Sequence, residues 1–512
     1  MPDRADGQDE VLAFLAEPAT HGGQKVSRID THAASVFLAG DRALKIKRAV
    51  RFPFLDYSTL EKRKAACEAE LAVNAPYAPD IYRSVVPITR EADGKLAVGG
   101  AGTPVEWAVQ MRRFDENRTL DRLVEAIDAR LADALGRAVA AAHRHCQPFD
   151  GSAWIAALGA YIGEHGEAFR QHPEIFSLDD INALVRKSRA AYKRITPLLR
   201  ERSRGGFVRR IHGDLHLGNI VLIGGKPVLF DAIEFSDVIA SGDVFYDLAF
   251  LLMDLLERGL KQPANIVLNR YLAENRRIED LDALAAMPFF LSMRAAIRAK
   301  VTAARMERAA DGERQEIARA ARTYFEFALR AIAPPPPRLV AVGGLSGTGK
   351  SRLAQSLAAD LEPMPGAVVL RSDLERKTFF GVGETEKLPP SAYAADINAR
   401  VYATLADKAR RVLAAGHSAI IDAVFARPQE RSVITAVGAS AKIPFRGLFL
   451  VADLDTRLGR VGARAADASD ADAAVAKSQE AYDVGLIDWT PIDATGTPEH
   501  TLELAKSAVS AP

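Results

Sequence analysis

The stretch Gly344-Leu345-Ser346-Gly347-Thr348-Gly349-Lys350-Ser351 decides the fold of the last third of this 512-residue chain. It fits the pattern G-x-x-x-x-G-K-[ST] in full. Glycines at these positions let the backbone curl so that successive N–H groups point at one set of phosphate oxygens. Lys350 then reaches the β- and γ-phosphates. Ser351 offers its hydroxyl to Mg²⁺ at the start of a helix whose N-terminal dipole also favours anions. Gly344, Ser346, Gly347, Thr348, Gly349, Lys350 and Ser351 are thus the expected phosphate contacts, and Ser351 is also an expected metal ligand. The bland alternative is a merely flexible glycine loop.

Outward from this loop, strand-like and helical runs alternate. Leu339 to Val342 precedes it and a helical pattern over Ser351–Leu361 follows. Next come Val368-Val369-Leu370, a helix over Ala394–Ala415, Ser418–Ile421 and Leu448-Phe449-Leu450. That alternation predicts an α/β domain with a parallel sheet. Ile420-Ile421-Asp422 is an apolar strand ending in a carboxylate, so Asp422 is an expected Mg²⁺ support. Ala423 and Val424 follow it, where a motor-type ATPase needs a carboxylate to activate water. Asp373 follows the strand Val368–Leu370 and faces the crevice of an open α/β sheet. It is the expected base for an acceptor hydroxyl, with helix N-cap as the competing role. Arg457, Arg460 and Arg464 recur at three- and four-residue spacing and form one helical face. Such a row closes over phosphates or is simply solvated.

Four consecutive prolines, Pro334 to Pro337, interrupt the chain after a helical stretch over Glu313–Ala331. They cannot continue a helix and favour a stiff spacer. The expected organisation is a domain over 1–333, a linker at 334–337 and a domain over 338–512. The first part begins with strand-like pieces at Val36–Leu38, Ala43–Ile46 and Val105–Met111, with a helical pattern over Thr59–Val73 between them. Helices dominate from Thr119, interrupted near Arg209–Phe230 by a loop and two short strands. Strands first and helices later predict an α+β fold of two lobes.

The loop Ile211-His212-Gly213-Asp214-Leu215-His216-Leu217-Gly218-Asn219 carries the second motif. Asp214 and Asn219 stand five apart, the spacing of a protein-kinase catalytic loop. There the Asp accepts the hydroxyl proton and the Asn holds Mg²⁺. Asp231 ends a second short strand twelve residues on, as a second metal carboxylate does. The bland alternative is a capped turn and a surface Asp.

This pattern resembles the aminoglycoside phosphotransferase and choline kinase-like family, over most of residues 25–330, with a protein-kinase-like bilobal fold. The resemblance implies that Lys45 grips the α- and β-phosphates. Lys47 is a rival on the same strand face. It further implies that Glu70 is the ion-pair partner, with Glu68 its rival, that Val109-Gln110-Met111 meets adenine, and that Asp247 braces the catalytic loop. No G-x-G-x-x-G precedes Lys45. The turn Thr31-His32-Ala33-Ala34-Ser35 stands there instead. The helices from Asp150 to Arg200 are mixed in charge, so an aminoglycoside is not the expected acceptor. The C-terminal part resembles small P-loop kinases of the gluconate kinase, zeta-toxin and polynucleotide kinase type. That resemblance implies Asp373 as base and Arg460 and Arg464 as lid arginines. Together the halves resemble bacterial bifunctional proteins fusing a phosphotransferase-like domain to a P-loop kinase. The pattern Phe54-Leu55-Asp56-Tyr57-Ser58, Arg63, Cys67, Glu70, Asn74 resembles that family's own signature, with no role derivable from sequence.

Bulk properties narrow the function classes. Net charge is +1, charged residues are 26% and hydrophobic residues 48%. No basic stripe marks a nucleic-acid partner. Cys67 and Cys146 read as reduced thiols, not a zinc site. The N-terminus is polar and acidic, without the apolar core of a secretory signal. The apolar run Leu248–Leu256 is too short to span a bilayer. The expectation is a cytoplasmic, ATP- and Mg²⁺-dependent phosphotransferase with two ATP sites, acting on a small-molecule hydroxyl. The competing readings are one catalytic domain gated by a nucleotide-sensing one, or a polynucleotide or protein kinase.

Overall fold

The computed structural model describes residues 8–52, 55–462 and 468–510. Their packing falls into two units: Met1–Tyr161 with Thr196–Asp254, and Ile162–Ile195 with Leu255–Pro512. The second unit therefore takes in residues on both sides of the proline run.

A six-stranded antiparallel sheet leads the first unit. Its order is Val26–Asp30, Ala34–Ala39, Arg42–Lys47, Thr103–Arg112, Tyr82–Arg90, Leu96–Val98. Strand Arg42–Lys47 shows why the sheet has two different faces. Its Leu44 and Ile46 pack under helix Gln8–Ala16, with Val11, Leu15, Phe37 and Ile88. Lys45 and Lys47 alternate to the other face, where helix Leu60–Asn74 lies. Thr59 starts that helix by accepting from the Lys62 N–H. Three of the six strands were not legible in sequence. Val26–Asp30 is a polar edge strand, mostly exposed, and Tyr82–Arg90 contains Pro87, which reads as a breaker. Two small antiparallel pairs follow: Ile220–Ile223 with Lys226–Leu229, and Val208–Arg210 with Ser241–Asp243. The loop of residues 211–219 hangs between them. The apolar run at Leu248 lies within helix Val244–Glu257 and is buried core.

The second unit holds a five-stranded parallel sheet in the order Val368–Arg371, Ala419–Asp422, Leu339–Gly344, Phe445–Val451, Thr490–Asp493. Four of these strands match the sequence reading. Thr490–Asp493 was missed, being short, half exposed and carrying Pro491. The core beneath is Val340, Val342, Ile420, Leu448 and Leu450 against Leu353 and Leu357 of helix Lys350–Ala358. Because the strands are parallel, Gly344, Arg371 and Asp422 gather at one end of the sheet, the end that binds ligands in open α/β sheets. Among the described residues no helix is long and apolar enough to cross a membrane.

Candidate functional site

In the first unit, two lysines and one glutamate meet beneath the sheet. Lys45 Nζ lies 2.8 Å from Glu70 Oε1, and Lys47 Nζ lies 2.6 Å from Glu70 Oε2. Glu70 is fully buried. Burial pushes its carboxyl up, but the two ammonium groups outweigh that and hold it at about 2. Glu68, the rival, is exposed and 3.7 Å from Lys64. The lysines part in their second contacts. Lys45 Nζ also lies 2.7 Å from Asp231 Oδ1. Lys47 turns inward to Glu234, whose Oε1 accepts from the Tyr57 hydroxyl at 3.0 Å. Lys45 lines a cleft with Met111, Tyr82, Gly218, Phe230 and Asp231, and Lys47 is not part of that lining. Burial opposes the Lys45 charge, yet Asp231 and Glu70 raise its pKa well above the ordinary lysine value.

The loop carrying Asp214 is held from below. Asp247 accepts from the His212 and Gly213 N–H groups at 3.0 Å each, the bracing role the resemblance implied. Asp254 accepts from the Leu217 N–H at 2.9 Å. Asn219 Nδ2 donates to the Asp214 carbonyl at 2.9 Å and to Asp214 Oδ2 at 3.1 Å. Asp214 is 41% exposed at its side chain, open to a reactant. His212 Nε2 meets the Phe230 carbonyl at 2.9 Å, joining this loop to the strand end that carries Asp231. Asp231 sits at φ +61, a position L-residues rarely adopt. Its neighbours impose that conformation. The Asp231 N–H donates to the Tyr82 hydroxyl at 3.1 Å. Asn74 clamps Ala232 from both sides, accepting from its N–H at 2.7 Å and donating to its carbonyl at 3.1 Å.

Sequence reasoning missed the roles of Tyr57, Asn74, Tyr82 and Glu234. The signal for two of them was the stretch ending at Asn74, where Glu70 and Asn74 share a helix face one turn apart. Phe54 of that stretch lies outside the described residues. Ser35 is fully buried and donates to Asp30 Oδ1 at 2.6 Å, so its hydroxyl is committed within the hairpin.

In the second unit the glycine loop of residues 344–351 is shaped by backbone. Gly344, Gly347 and Gly349 have φ of +134, +89 and +95. A Cβ on Gly347 would stand 2.6 Å from the Arg457 carbonyl oxygen, and one on Gly344 2.7 Å from that of Leu450. Helix Lys350–Ala358 begins directly after Gly349, with Ser351 in its first turn. Lys350 Nζ donates to the Leu345 carbonyl at 3.1 Å, as does Thr348 Oγ1 at 2.8 Å. The Ser346 N–H donates to Gln479 Oε1 at 2.6 Å.

The arginine row needs correction. Arg457 is 2% exposed. Its Nε donates to the Ser346 carbonyl at 2.9 Å, its Nη2 to the Ala476 carbonyl at 2.8 Å, and it pairs with Glu480. It braces the loop from behind, because the helix Leu454–Gly462 turns that face inward. Arg460 donates to the Gly496 carbonyl at 2.9 Å and lies 3.4 Å from the Thr348 carbonyl. Arg464 lies outside the described residues.

Asp422 ends its strand, nearly buried, with Arg371 Nε 3.3 Å away. Asp373 stands in the first turn of helix Ser372–Phe379, which starts one residue before it, so it does not cap the helix. Burial and the Asp422 charge raise its pKa, and Arg371 and Lys350 offset only part of that. A carboxyl held above its ordinary range is a better proton acceptor.

Both sites offer oxygen donors of the kind Mg²⁺ takes, Asn219 and Asp231 in one, Ser351 and Asp422 in the other. Among the described residues no three His, Cys, Asp or Glu side chains gather as a metal cage. These donor sets suit a cation that is shared with phosphate and water.

Comparison with known proteins finds one family match around each site, the first running across both packing units. Residues 34–287 match the phosphotransferase enzyme family and residues 339–483 match an AAA domain family. An uncharacterised protein of Mycobacterium tuberculosis, Rv2004c, is 31% identical over 487 residues, covering 92% of this chain and 93% of that one. Mb2027c of Mycobacterium bovis matches to the same extent. Among solved structures, a choline/ethanolamine kinase family protein from Mesorhizobium loti is 15% identical over 64% of this chain and 98% of its own, with a TM-score of 0.35. A gluconokinase from Sinorhizobium meliloti is 14% identical over 34% of this chain and 92% of its own, with a TM-score of 0.26.

Proposed function

This chain belongs to the family of its mycobacterial relatives, which joins a phosphotransferase-type kinase domain to a P-loop kinase-like domain, and on that premise we propose that it is an ATP-dependent phosphotransferase with two nucleotide sites. Each site moves a γ-phosphoryl group to the hydroxyl of a small molecule. The observation that carries this reading is the meeting of Lys45, Glu70 and Asp231 at 2.7–2.8 Å beside the Asp214–Asn219 loop. These five residues are scattered over the sequence, and phosphoryl transfer needs groups of these kinds close together, which supports the reading.

At the first site Lys45 grips the phosphate chain, held in place by Glu70. Asp214 accepts the proton of the acceptor hydroxyl as its oxygen bonds to phosphorus and the bond to ADP breaks. Asn219 holds Asp214 in place and, with Asp231, supplies oxygen ligands. At the second site the N–H groups of Gly347, Gly349, Lys350 and Ser351 and the Lys350 ammonium hold the phosphates, while the Ser346 N–H is held by Gln479, and Asp373 takes the proton. Ser351 and Asp422 are the oxygen donors there, and Arg460, beside the Thr348 carbonyl, adds positive charge next to the loop. Mg²⁺, when bound, neutralises charge that develops on the phosphoryl oxygens. Met111 meets the adenine of the first site.

Separate Asp214→Asn and Lys350→Ala variants test this reading. Each is expected to remove one share of ATP turnover, lowering that site's rate by about 10²–10⁴-fold. If either leaves turnover unchanged, that site is not a catalyst. Its domain is then a nucleotide sensor at most.

A further inference from the structure

Strand Val368–Arg371 is the edge of the parallel sheet, paired on one side only, with Ala419–Asp422. An edge strand presents unpaired N–H and C=O groups along its open side. Helix Lys261–Asn275 of the same unit covers that side. Asn269 Oδ1 accepts from the Val369 N–H at 2.7 Å, and Asn269 Nδ2 donates to the Ala367 carbonyl at 3.1 Å. Asn265, one turn earlier and buried, donates to the Ala367 carbonyl at 3.0 Å and the Pro365 carbonyl at 3.2 Å. A carboxamide carries the same donor and acceptor as a peptide group. Two of them on one helix face therefore do the work of a sixth strand. The fit is close: a Cβ on Gly366 would stand 2.7 Å from Asn265 Nδ2. The next residue after Asn269, Arg270, pairs with Glu384 at 2.7 Å, in the segment after helix Ser372–Phe379.

The braced strand runs straight into the site. Arg371, its last residue, stands 3.3 Å from Asp422, and Asp373 follows two residues on. We propose that Asn269, supported by Asn265 and Arg270, is a positioning residue for the second site. It fixes the edge strand so that Arg371 and Asp373 keep their places beside Asp422. Helix Lys261–Asn275 precedes the proline run and lies within the stretch that matches the phosphotransferase family. A segment of one family region thus completes the sheet of the other, and the second site depends on residues outside 338–512. This inference rests on the reading of Asp373 as the second site's base.

The test uses the full-length chain with Asp214→Asn, so that acceptor-free ATP hydrolysis reports the second site alone. Adding Asn269→Ala is expected to speed amide exchange across residues 367–371 by about tenfold, the loss of roughly one hydrogen bond. The kcat for hydrolysis should fall by about tenfold with KM for ATP within about twofold, a loss confined to the reacting geometry. Asn269→Asp keeps the acceptor for the Val369 N–H and should restore protection at that amide and part of kcat. Unchanged exchange across 367–371, or kcat and KM moving together, overturns the proposal. If Asn269→Ala does not fold, Arg270→Gln carries the test. A kcat about threefold lower at constant KM supports the proposal, and an unchanged kcat overturns it. An Asp214→Asn parent that hydrolyses no ATP behaves as a kinase site without its acceptor. The exchange measurement then decides, faster exchange across 367–371 supporting the brace and unchanged exchange overturning it. Failure of that parent to retain ATP refutes the reading of the second site instead.

Discussion

Lys45 and Lys350 are both expected to hold phosphate, yet the chain positions them by opposite means. Lys45 is placed by side chains: a buried glutamate from a helix, an aspartate from a strand end, and a second lysine sharing the same carboxylate. Lys350 is placed by backbone: three glycines at positive φ and a helix that starts at the lysine itself. The first device draws on long-range ion pairing in a low dielectric, where charges must be matched or they cost several kcal/mol. The second draws on conformations that only glycine adopts cheaply. A charge-neutralising change should therefore hurt the first unit most, and an added methyl group should hurt the second.

The largest effect is expected for Glu70→Gln, which leaves Lys45 and Lys47 sharing only Asp231 and Glu234. Breaking a buried ionic set in this way costs about 3–5 kcal/mol, read from urea unfolding. The pH dependence has a definite sign. The folded pKa of Glu70 lies below the ordinary 4.5, so its stabilising contribution is full above that pH and is lost as pH falls toward about 2. The Gln variant should lack that acid limb. An unchanged midpoint and an unchanged acid limb would show that charge matching is not what builds this site.

Gly347→Ala should come next. The methyl group meets the Arg457 carbonyl at 2.6 Å in a backbone conformation disfavoured for alanine. A cost of about 1–3 kcal/mol is expected, with weakened ATP retention at the second site only. Retention equal to that of the unaltered chain would mean that the loop is not shaped by its glycines.

The smallest effect is expected for Asp373→Asn, and it is a gain. The folded pKa of Asp373 is raised, so ionising it opposes folding, and stability is lost as pH rises from the ordinary 3.8 through the raised value. The neutral amide removes that opposition and should raise stability near pH 7 by roughly 1 kcal/mol, seen as a higher Tm. A lower Tm at pH 7 that is no higher at pH 3 would show that Asp373 is held by favourable partners.

Legibility followed the same divide. The glycine loop could be read from eight consecutive residues, because its geometry is local and its residue types have few other uses. The strands flanking it were legible through their apolar runs, whereas Thr490–Asp493 and Val26–Asp30 were not, since those two edge strands are mostly exposed and lack a buried pattern. The arginine row misled because helical spacing tells which residues share a face but not which way that face turns. Arg457 faces inward. In the first unit the spacing could not separate Lys45 from Lys47, and only the family resemblance favoured Glu70 over Glu68. Helix Leu60–Asn74 separates the glutamates by burying one, and the cleft separates the lysines by opening to one.

The sequence by itself determined the two-domain kinase-like architecture, the glycine loop and the Asp214–Asn219 pair, because each rests on short-range spacing and residue chemistry. Only the tertiary structure decided which lysine faces the cleft, how Asn74 and Tyr82 hold Asp231 at positive φ, and that Asn265 and Asn269 close the edge of the parallel sheet. Those choices depend on contacts between residues up to 187 positions apart, whose partners are selected by packing and burial and leave no periodic trace along the chain.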